Sequence, residues 1–314
     1  MSIMAREDSI TEIFNISRSE SDRAGYIAIV GGGLMGRGIA ETAATVGINV
    51  LIIERDEESA DACRQRISET LDSEIERWAL TKSEKKAILS RLKFSTDLTE
   101  VAECDLIIEA IEEDFTSKKM VFKELDRICD ANTIFVSNTA TLSLTKLADA
   151  TTRPDKIIGV HFLNPVPKIP LVEVVRALKT SDDTFKRIKK FAEDIGKTVV
   201  EVFEYPGFVT TRVILPLLNE AMQVLLEGIA TAEGIDTAIK LGYGLNVGPL
   251  EMADSMGLDE VLTWLDTMYH ELGTAQYRAS PILRRKVREG HLGKKTSQGF
   301  FKYDESGKRI DVNQ

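Results

Sequence analysis

The sequence predicts an α/β domain, its sheet covered on both faces, followed by a domain that is almost all helix. Three observations carry this expectation. Short apolar runs alternate with helix-forming stretches over the first two-thirds of the chain. A glycine-rich turn joins the first run to the first helix. Past Pro206 the apolar positions fall at helical spacing, and strand signals nearly vanish until "GFFKY".

Each element has a local reason. The start, "MSIMAREDSITEIFNISRSESDRAG", breaks its few apolar residues with Arg6, Glu7 and Asp8, so residues 1–24 read as a polar N-terminal extension with no signal-peptide core. Tyr26–Val30 reads as a strand. Leu34–Val46 reads as a helix stopped by Gly47, and Asn49–Ile53 as a second strand ending at Glu54. This is a βαβ unit. Helical patterns fill Glu57 to Leu92. Strands are expected in "CDLIIEAI", "TIFVSNTA", "DKIIGVHF", "IPLVEVV" and "KTVVEVF", with an amphipathic helix in "SKKMVFKELDRICD". The domain boundary is placed near Glu204–Pro206, giving domains at 25–204 and 205–314. In the second domain, helices are expected in "GFVTTRVILPLLNEAMQVLLEGIA" and around 237–241, 259–272 and 282–289.

Composition narrows the function. The chain has 314 residues, 43% hydrophobic and 29% charged, with a formal net charge of -10. That balance argues against broad nucleic-acid or anionic-membrane binding, both of which rest on basic surfaces. No apolar run approaches the ~18 residues of a membrane span. The three cysteines, Cys63, Cys104 and Cys129, are odd in number and widely spaced, which suggests free thiols in a reducing compartment and a cytoplasmic protein. Three scattered histidines form no ligand cluster, so no metal is expected.

Gly31, Gly33 and Gly36 satisfy G-x-G-x-x-G between a predicted strand and a predicted helix. In this context Gly31 allows the tight turn, Gly33 lets the backbone approach a pyrophosphate, and Gly36 lets helix and strand pack closely. The helix amino terminus stabilises phosphate charge. Gly32 is read as added flexibility. Glu54 stands where a carboxylate accepts ribose hydroxyls and repels a 2′-phosphate, so the expected cofactor is NAD. The neighbouring Arg55 pulls the other way.

"GVHFLNPVPKIPLVEVV" holds His161 at the end of one strand-like run and Glu173 in the next. Imidazole suits proton transfer, with an unperturbed pKa of ~6.5. A carboxylate on its other nitrogen fixes the tautomer and stabilises the imidazolium. The two meet if "NPVPKIP" makes a tight reversal, which Asn164, Pro165 and Pro167 favour. His270 and His291 read as surface or packing residues.

"IVGGGLMGRGIA", "CDLIIEAIEED", "VSNTATLS", "GVHFLNPVPKIPLVEVV", "PGFVTTRVILPLLNEA", "GPLEMADSMGLD" and "GKKTSQGFFKY" occur in this order. Together, over residues 25–304, they resemble the 3-hydroxyacyl-CoA dehydrogenase family. The resemblance implies a Rossmann-like domain followed by a helical domain that forms a homodimer. It implies NAD at Gly31, Gly33, Leu34, Met35, Gly36, Glu54 and Asn138, with Glu112 and Lys119 near the nicotinamide-side ribose. It implies His161 as base, Glu173 as its partner, and Asn164 as a residue positioning the ring or the nicotinamide.

Three departures bear on the substrate. Where the family reads "SNTSS" this chain reads "SNTAT", so the substrate serine falls on Ala140, with Thr141 or Ser137 as stand-ins. Where the family reads "PGFIVNR" this chain reads "PGFVTTR", so the substrate asparagine falls on Thr211. The helix that supplies basic groups to CoA carries Asp72, Ser73 and Glu76, though Arg77 remains. Losing one polar partner in a buried site costs ~1–3 kcal/mol. The expectation drawn is a branch oxidising a small carboxylated hydroxy or formyl compound, of the carnitine, gulonate or formyl-hydroxy-methylpyridine-carboxylate type. Arg212 and Lys168 are the first candidates for carboxylate contact, and Lys294 is a weaker one. The alternatives are a regular 3-hydroxybutyryl-CoA dehydrogenase and an NAD-binding, crystallin-like protein with little turnover.

Overall fold

The computed structural model describes residues 26–310, and the polar extension at 1–24 lies outside them. The chain divides into two compact units between Tyr205 and Pro206.

The first unit is an eight-stranded sheet with helices between its strands. In chain order the elements are β1 (Tyr26–Val30), α1 (Leu34–Thr45), β2 (Asn49–Ile53), α2 (Glu57–Glu76), α3 (Lys82–Ser90), β3 (Leu92–Ser95), β4 (Leu106–Glu109), α4 (Phe115–Ile128), β5 (Ile134–Ser137), α5 (Leu144–Ala148), β6 (Ile157–Phe162), β7 (Leu171–Arg176), α6 (Asp182–Asp194) and β8 (Thr198–Phe203). The sheet order is β3-β2-β1-β4-β5-β6-β7-β8, parallel except where β6 meets β7. Order reverses between β1 and β4, which opens a crevice at the carboxyl ends of those strands. Central strands read as continuous apolar runs because both faces are covered. Every residue of β4, β5 and β6 is buried. On one face Ile29, Ile39, Ala43, Val50, Ile67 and Ile108 pack together. On the other, Ala28, Ile107, Phe122, Leu125 and Phe135 do so.

The helical reading of 57–92 needs correction at its end. α3 stops at Ser90, and Leu92–Ser95 pairs parallel with β2. The open edge of β2 offers backbone partners that local propensity does not register. The short α5 and the amphipathic α6 also escaped the sequence reading. Ser143 and Ser181 cap their amino termini.

The second unit holds α7 (Thr210–Leu226), α8 (Ala232–Tyr243), α9 (Pro249–Met256), α10 (Leu258–Leu272) and α11 (Pro281–Arg288), then a small antiparallel pair, β9 (Lys302–Tyr303) and β10 (Arg309–Ile310). Its core joins Leu215, Leu218, Met222, Leu250, Leu258, Leu265 and Leu283. Two buried aspartates organise it. Asp236 accepts from the amides of Leu250 and Glu251 at 2.8 and 2.9 Å, capping α9. Asp254 accepts from the amides of Phe300 and Phe301 and from the Tyr303 hydroxyl, tying the "GKKTSQGFFKY" loop to α9. Among the described residues no helix is long and apolar enough to cross a membrane.

Candidate active site

β1 ends in the glycine turn. Gly31 has φ 98°, and a Cβ there would lie 2.8 Å from the Ala110 carbonyl oxygen. A Cβ on Gly36 would overlap the Gly31 carbonyl, so helix and turn meet backbone to backbone. Gly33 faces open space at the amino terminus of α1, whose cap carries no side-chain hydrogen bond. Leu34 is exposed and Met35 half-buried beside it. Gly32, read from sequence as mere flexibility, has a packing role. Its amide donates to Glu54 Oε1 at 2.8 Å, and a Cβ there would strike Cys63 Sγ. Glu54 therefore braces the turn as well as ending β2. Arg55 turns toward Asp56, 3.2 Å away, and Ser59.

β6 and β7 form the antiparallel hairpin that the reversal predicts, with His161 directly opposite Glu173 in the register. The imidazole Nδ1 lies 2.6 Å from Glu173 Oε2. His161 is 7% exposed and Glu173 1%. A carboxylate only accepts, so Nδ1 carries the hydrogen and the basic lone pair of the neutral ring is on Nε2. Asn138, just past β5, accepts the Phe162 amide through its side-chain oxygen at 3.2 Å and so ties the end of β5 to the strand bearing His161. Asn164 is exposed at the start of the reversal, ahead of a cis bond to Pro165.

A second polar chain escaped the sequence reading. Glu109 and Lys118 are fully buried, with Nζ 2.6 Å from Oε1. Ser137 Oγ donates to Glu109 Oε2 at 2.6 Å. Burial pushes the Glu109 carboxyl up, and Lys118 opposes that. Lys118 also reaches Glu113 at 3.5 Å. Glu113 accepts from the amides of Ala140 and Thr141 and from the Thr139 hydroxyl. Sequence reading named Glu112 and Lys119. The structure puts their neighbours Glu113 and Lys118 into this network, while Glu112 is exposed and Lys119 half-buried. The signal was available: helix α4 turns a lysine inward only every third or fourth residue, and Phe122 and Leu125 mark its buried face.

Two domain-model matches cover nearly all the described chain. The first, "3-hydroxyacyl-CoA dehydrogenase, NAD binding domain", covers residues 26–205, and the C-terminal domain of the same enzymes covers 207–303. The chain belongs to the 3-hydroxyacyl-CoA dehydrogenase family. A probable 3-hydroxybutyryl-CoA dehydrogenase of Bacillus subtilis is 44% identical over 89% of this chain and 97% of its own. The solved (S)-3-hydroxybutyryl-CoA dehydrogenase of Ralstonia eutropha superposes with TM-score 0.83 at 39% identity, over 89% of this chain and 99% of that one. A solved 5-formyl-3-hydroxy-2-methylpyridine 4-carboxylic acid 5-dehydrogenase gives TM-score 0.71 at 29% identity, over 90% and 92%. The relatives near 40% identity are thus thioester enzymes, which favours the alternative sequence reading over the free-acid one.

Membership makes this an NAD-dependent oxidoreductase, and the residues fit the nucleotide. Gly33 leaves open space at the amino terminus of α1, which suits a pyrophosphate, and Glu54 follows β2, where a carboxylate suits ribose hydroxyls. No group of histidine, cysteine or acidic residues suited to a metal ion occurs among the described residues.

The candidate substrate residues divide between the two units. Ala140 is half-buried in the loop strapped by Glu113. Lys168 pairs with Glu74 on α2 at 3.1 Å, so it is not a bare cation awaiting a carboxylate. In the helical unit, Thr211 is buried on α7, and the Arg212 carbonyl accepts from Tyr277. Lys294 pairs with Glu251 and lies over Tyr303. His270 and His291 each sit beside a neighbouring glutamate, Glu271 and Glu289. The acidic helix is partly neutralised, since Lys85 meets Asp72 at 2.6 Å. That weakens the charge objection to a CoA substrate.

Proposed function

We propose that this protein is an NAD-dependent 3-hydroxyacyl-CoA dehydrogenase acting on short chains of the 3-hydroxybutyryl-CoA type. The observation that carries the reading is the His161–Glu173 pair, 2.6 Å apart at the carboxyl end of β6, in a chain about 40% identical to 3-hydroxybutyryl-CoA dehydrogenases.

Gly31, Gly33, Leu34, Met35, Gly36 and Glu54 would hold NAD, which supplies the hydride acceptor when bound. His161 Nε2 takes the proton of the substrate's 3-hydroxyl as the adjacent C–H bond breaks, and returns one in the reverse direction. Glu173 stabilises the imidazolium that forms and fixes the tautomer. Asn138 holds the end of β5 against β6, and Asn164 lies at the mouth of the reversal. The Glu113 strap holds the Ala140–Thr141 backbone, so the loop keeps its shape without the family's serine. Exposed Val213, Ile229, Leu241 and Tyr243 in the helical unit fit a homodimer, and three buried free thiols fit a cytoplasmic setting.

The test is NADH consumption with acetoacetyl-CoA and NADH formation with (S)-3-hydroxybutyryl-CoA, against carnitine, gulonate and a pyridine aldehyde. We expect the thioesters to turn over fastest and His161→Ala to abolish that turnover while retaining NADH binding. A second reading, a small carboxylated hydroxy or formyl substrate, rests on Ala140 and Thr211. Faster oxidation of a free acid or aldehyde than of the thioester would establish it. Equal inertness of wild type and His161→Ala on every substrate would leave only a binding protein.

A further inference from the structure

The reversal between His161 and Glu173 is held by a buried cation that takes no part in the proposed proton transfer. Lys197 ends the turn after α6 and is 6% exposed. Its ammonium donates to the carbonyl oxygens of Val166 and Ile169, the latter at 2.8 Å. Among the described residues no carboxylate pairs with it. Burial alone pulls its pKa down.

A buried ammonium with only carbonyls for company is costly, and a methionine would fill the same channel without that cost. The position of the two carbonyls explains the lysine. Both belong to the single turn that follows Asn164, where the amides of Lys168 and Ile169 donate to the Pro165 carbonyl. In such a turn the later carbonyls are left without backbone donors. One ammonium satisfies two of them, and the adjoining Thr198 amide takes the Pro170 carbonyl. Two further contacts seat the same turn. Val166 packs so closely on Gly38 of α1 that a Cβ there would be 3.0 Å from it, and Lys168 pairs with Glu74 on α2.

We propose that Lys197 is a positioning residue for the dehydrogenase site: it locks the β6–β7 reversal, and through it the placement of Asn164 and the register that sets His161 against Glu173. The inference rests on the function proposed above. It does not make Lys197 a catalytic group.

The test compares wild type with Lys197→Arg, Lys197→Gln and Lys197→Met, assayed well below each variant's melting temperature. We expect kcat to fall in that order, by about tenfold or more for Met. KM for NAD and NADH affinity should change much less than kcat, because the hydrogen bonds of Lys197 go to the reversal and not to the glycine turn. The acid limb of the kcat/KM profile should move to lower pH in the Met variant, since a loosened Glu173 stabilises the imidazolium less. A merely structural lysine would lower the folded fraction without moving that limb. A folded Met or Gln variant with native kcat and an unmoved limb overturns the proposal. So does failure of all three variants to fold, which would assign the lysine to stability alone. Wild type inert on every substrate would instead sink the dehydrogenase reading, a separate result from variants that match an active wild type.

Discussion

Glu173 in the nucleotide-binding unit meets an imidazole, whereas Asp254 in the helical unit meets backbone amides and a phenol. Both carboxyl groups are 1% exposed. The difference lies in what each one restrains. Asp254 and Asp236 satisfy amide donors at the starts of turns and helices, so they fix chain path. Glu173 and Glu109 face basic side chains, His161 on β6 and Lys118 on α4, so they fix the charge and orientation of those groups. Burial of an acid therefore says little about function until its donor is named.

Replacing the first kind should abolish chemistry and spare the fold. Glu173→Gln keeps the size and a hydrogen bond but removes the counter-charge. We expect kcat with 3-hydroxybutyryl-CoA to fall about 10²- to 10³-fold, with NADH affinity nearly unchanged by fluorescence titration. Wild-type kcat in this variant would mean that the pair is structural.

Replacing the second kind should do the reverse. Asp254→Ala leaves three donors without an acceptor, each costing about 1–3 kcal/mol when buried. We expect a loss of about 4 kcal/mol by denaturant unfolding. The folded fraction should bind NADH as wild type does. Weaker NADH binding by that fraction would erase the distinction drawn between the two acids.

Much of this was legible in the sequence, for reasons that particular residues make plain. β1, α1 and β2 were readable because a glycine turn and a terminal acid flank apolar runs of the right length. The His161–Glu173 pair was readable because two prolines and an asparagine force a reversal between two strands. Leu92–Ser95 was not readable, because its reason for being a strand is the edge of β2, forty residues earlier in the chain. Lys118 was not readable because a motif gives spacing while a helix face decides which of two adjacent residues turns inward, and Glu113, ahead of α4, meets Ala140 and Thr141 through a chain path that no motif shows. Lys197 carried no signal, because its partners are main-chain carbonyls, which every residue has.

Glu41 is a third kind of buried acid, and it sharpens the contrast through pH. It is 8% exposed on α1. Burial first, then repulsion from Glu74, raises its pKa to about 7, against Lys168 and Arg37, which lower it. The folded state thus keeps a proton between about pH 4.5 and 7 that the unfolded chain releases. Stability from this group is full below pH 4.5 and is lost as pH rises through 7. Glu41→Gln should remove that slope. We expect it to match wild type near pH 4.5 and to be more stable above pH 7, by up to about 3 kcal/mol. Parallel stability profiles for the two proteins between pH 4.5 and 8 would show that Glu41 keeps its charge in the fold.

Glu113 crosses the two classes, since it accepts backbone amides yet sits beside Lys118 in the crevice-bearing unit. Its strap makes the smallest prediction. The Ala140 amide is already bound, so Ala140→Ser adds a hydroxyl to a loop whose backbone is fixed. Stability should change by less than about 0.5 kcal/mol. If a hydroxyl here meets the thioester substrate, kcat/KM for 3-hydroxybutyryl-CoA should rise by about fivefold, the worth of one added hydrogen bond of roughly 1 kcal/mol. The added group should leave free-acid substrates unimproved, because it stands where the family's serine meets an acyl-CoA. A rise on carnitine or a pyridine aldehyde and none on the thioester would turn the substrate assignment around. It would also show that the strap shapes this loop for a different ligand from the one its relatives take.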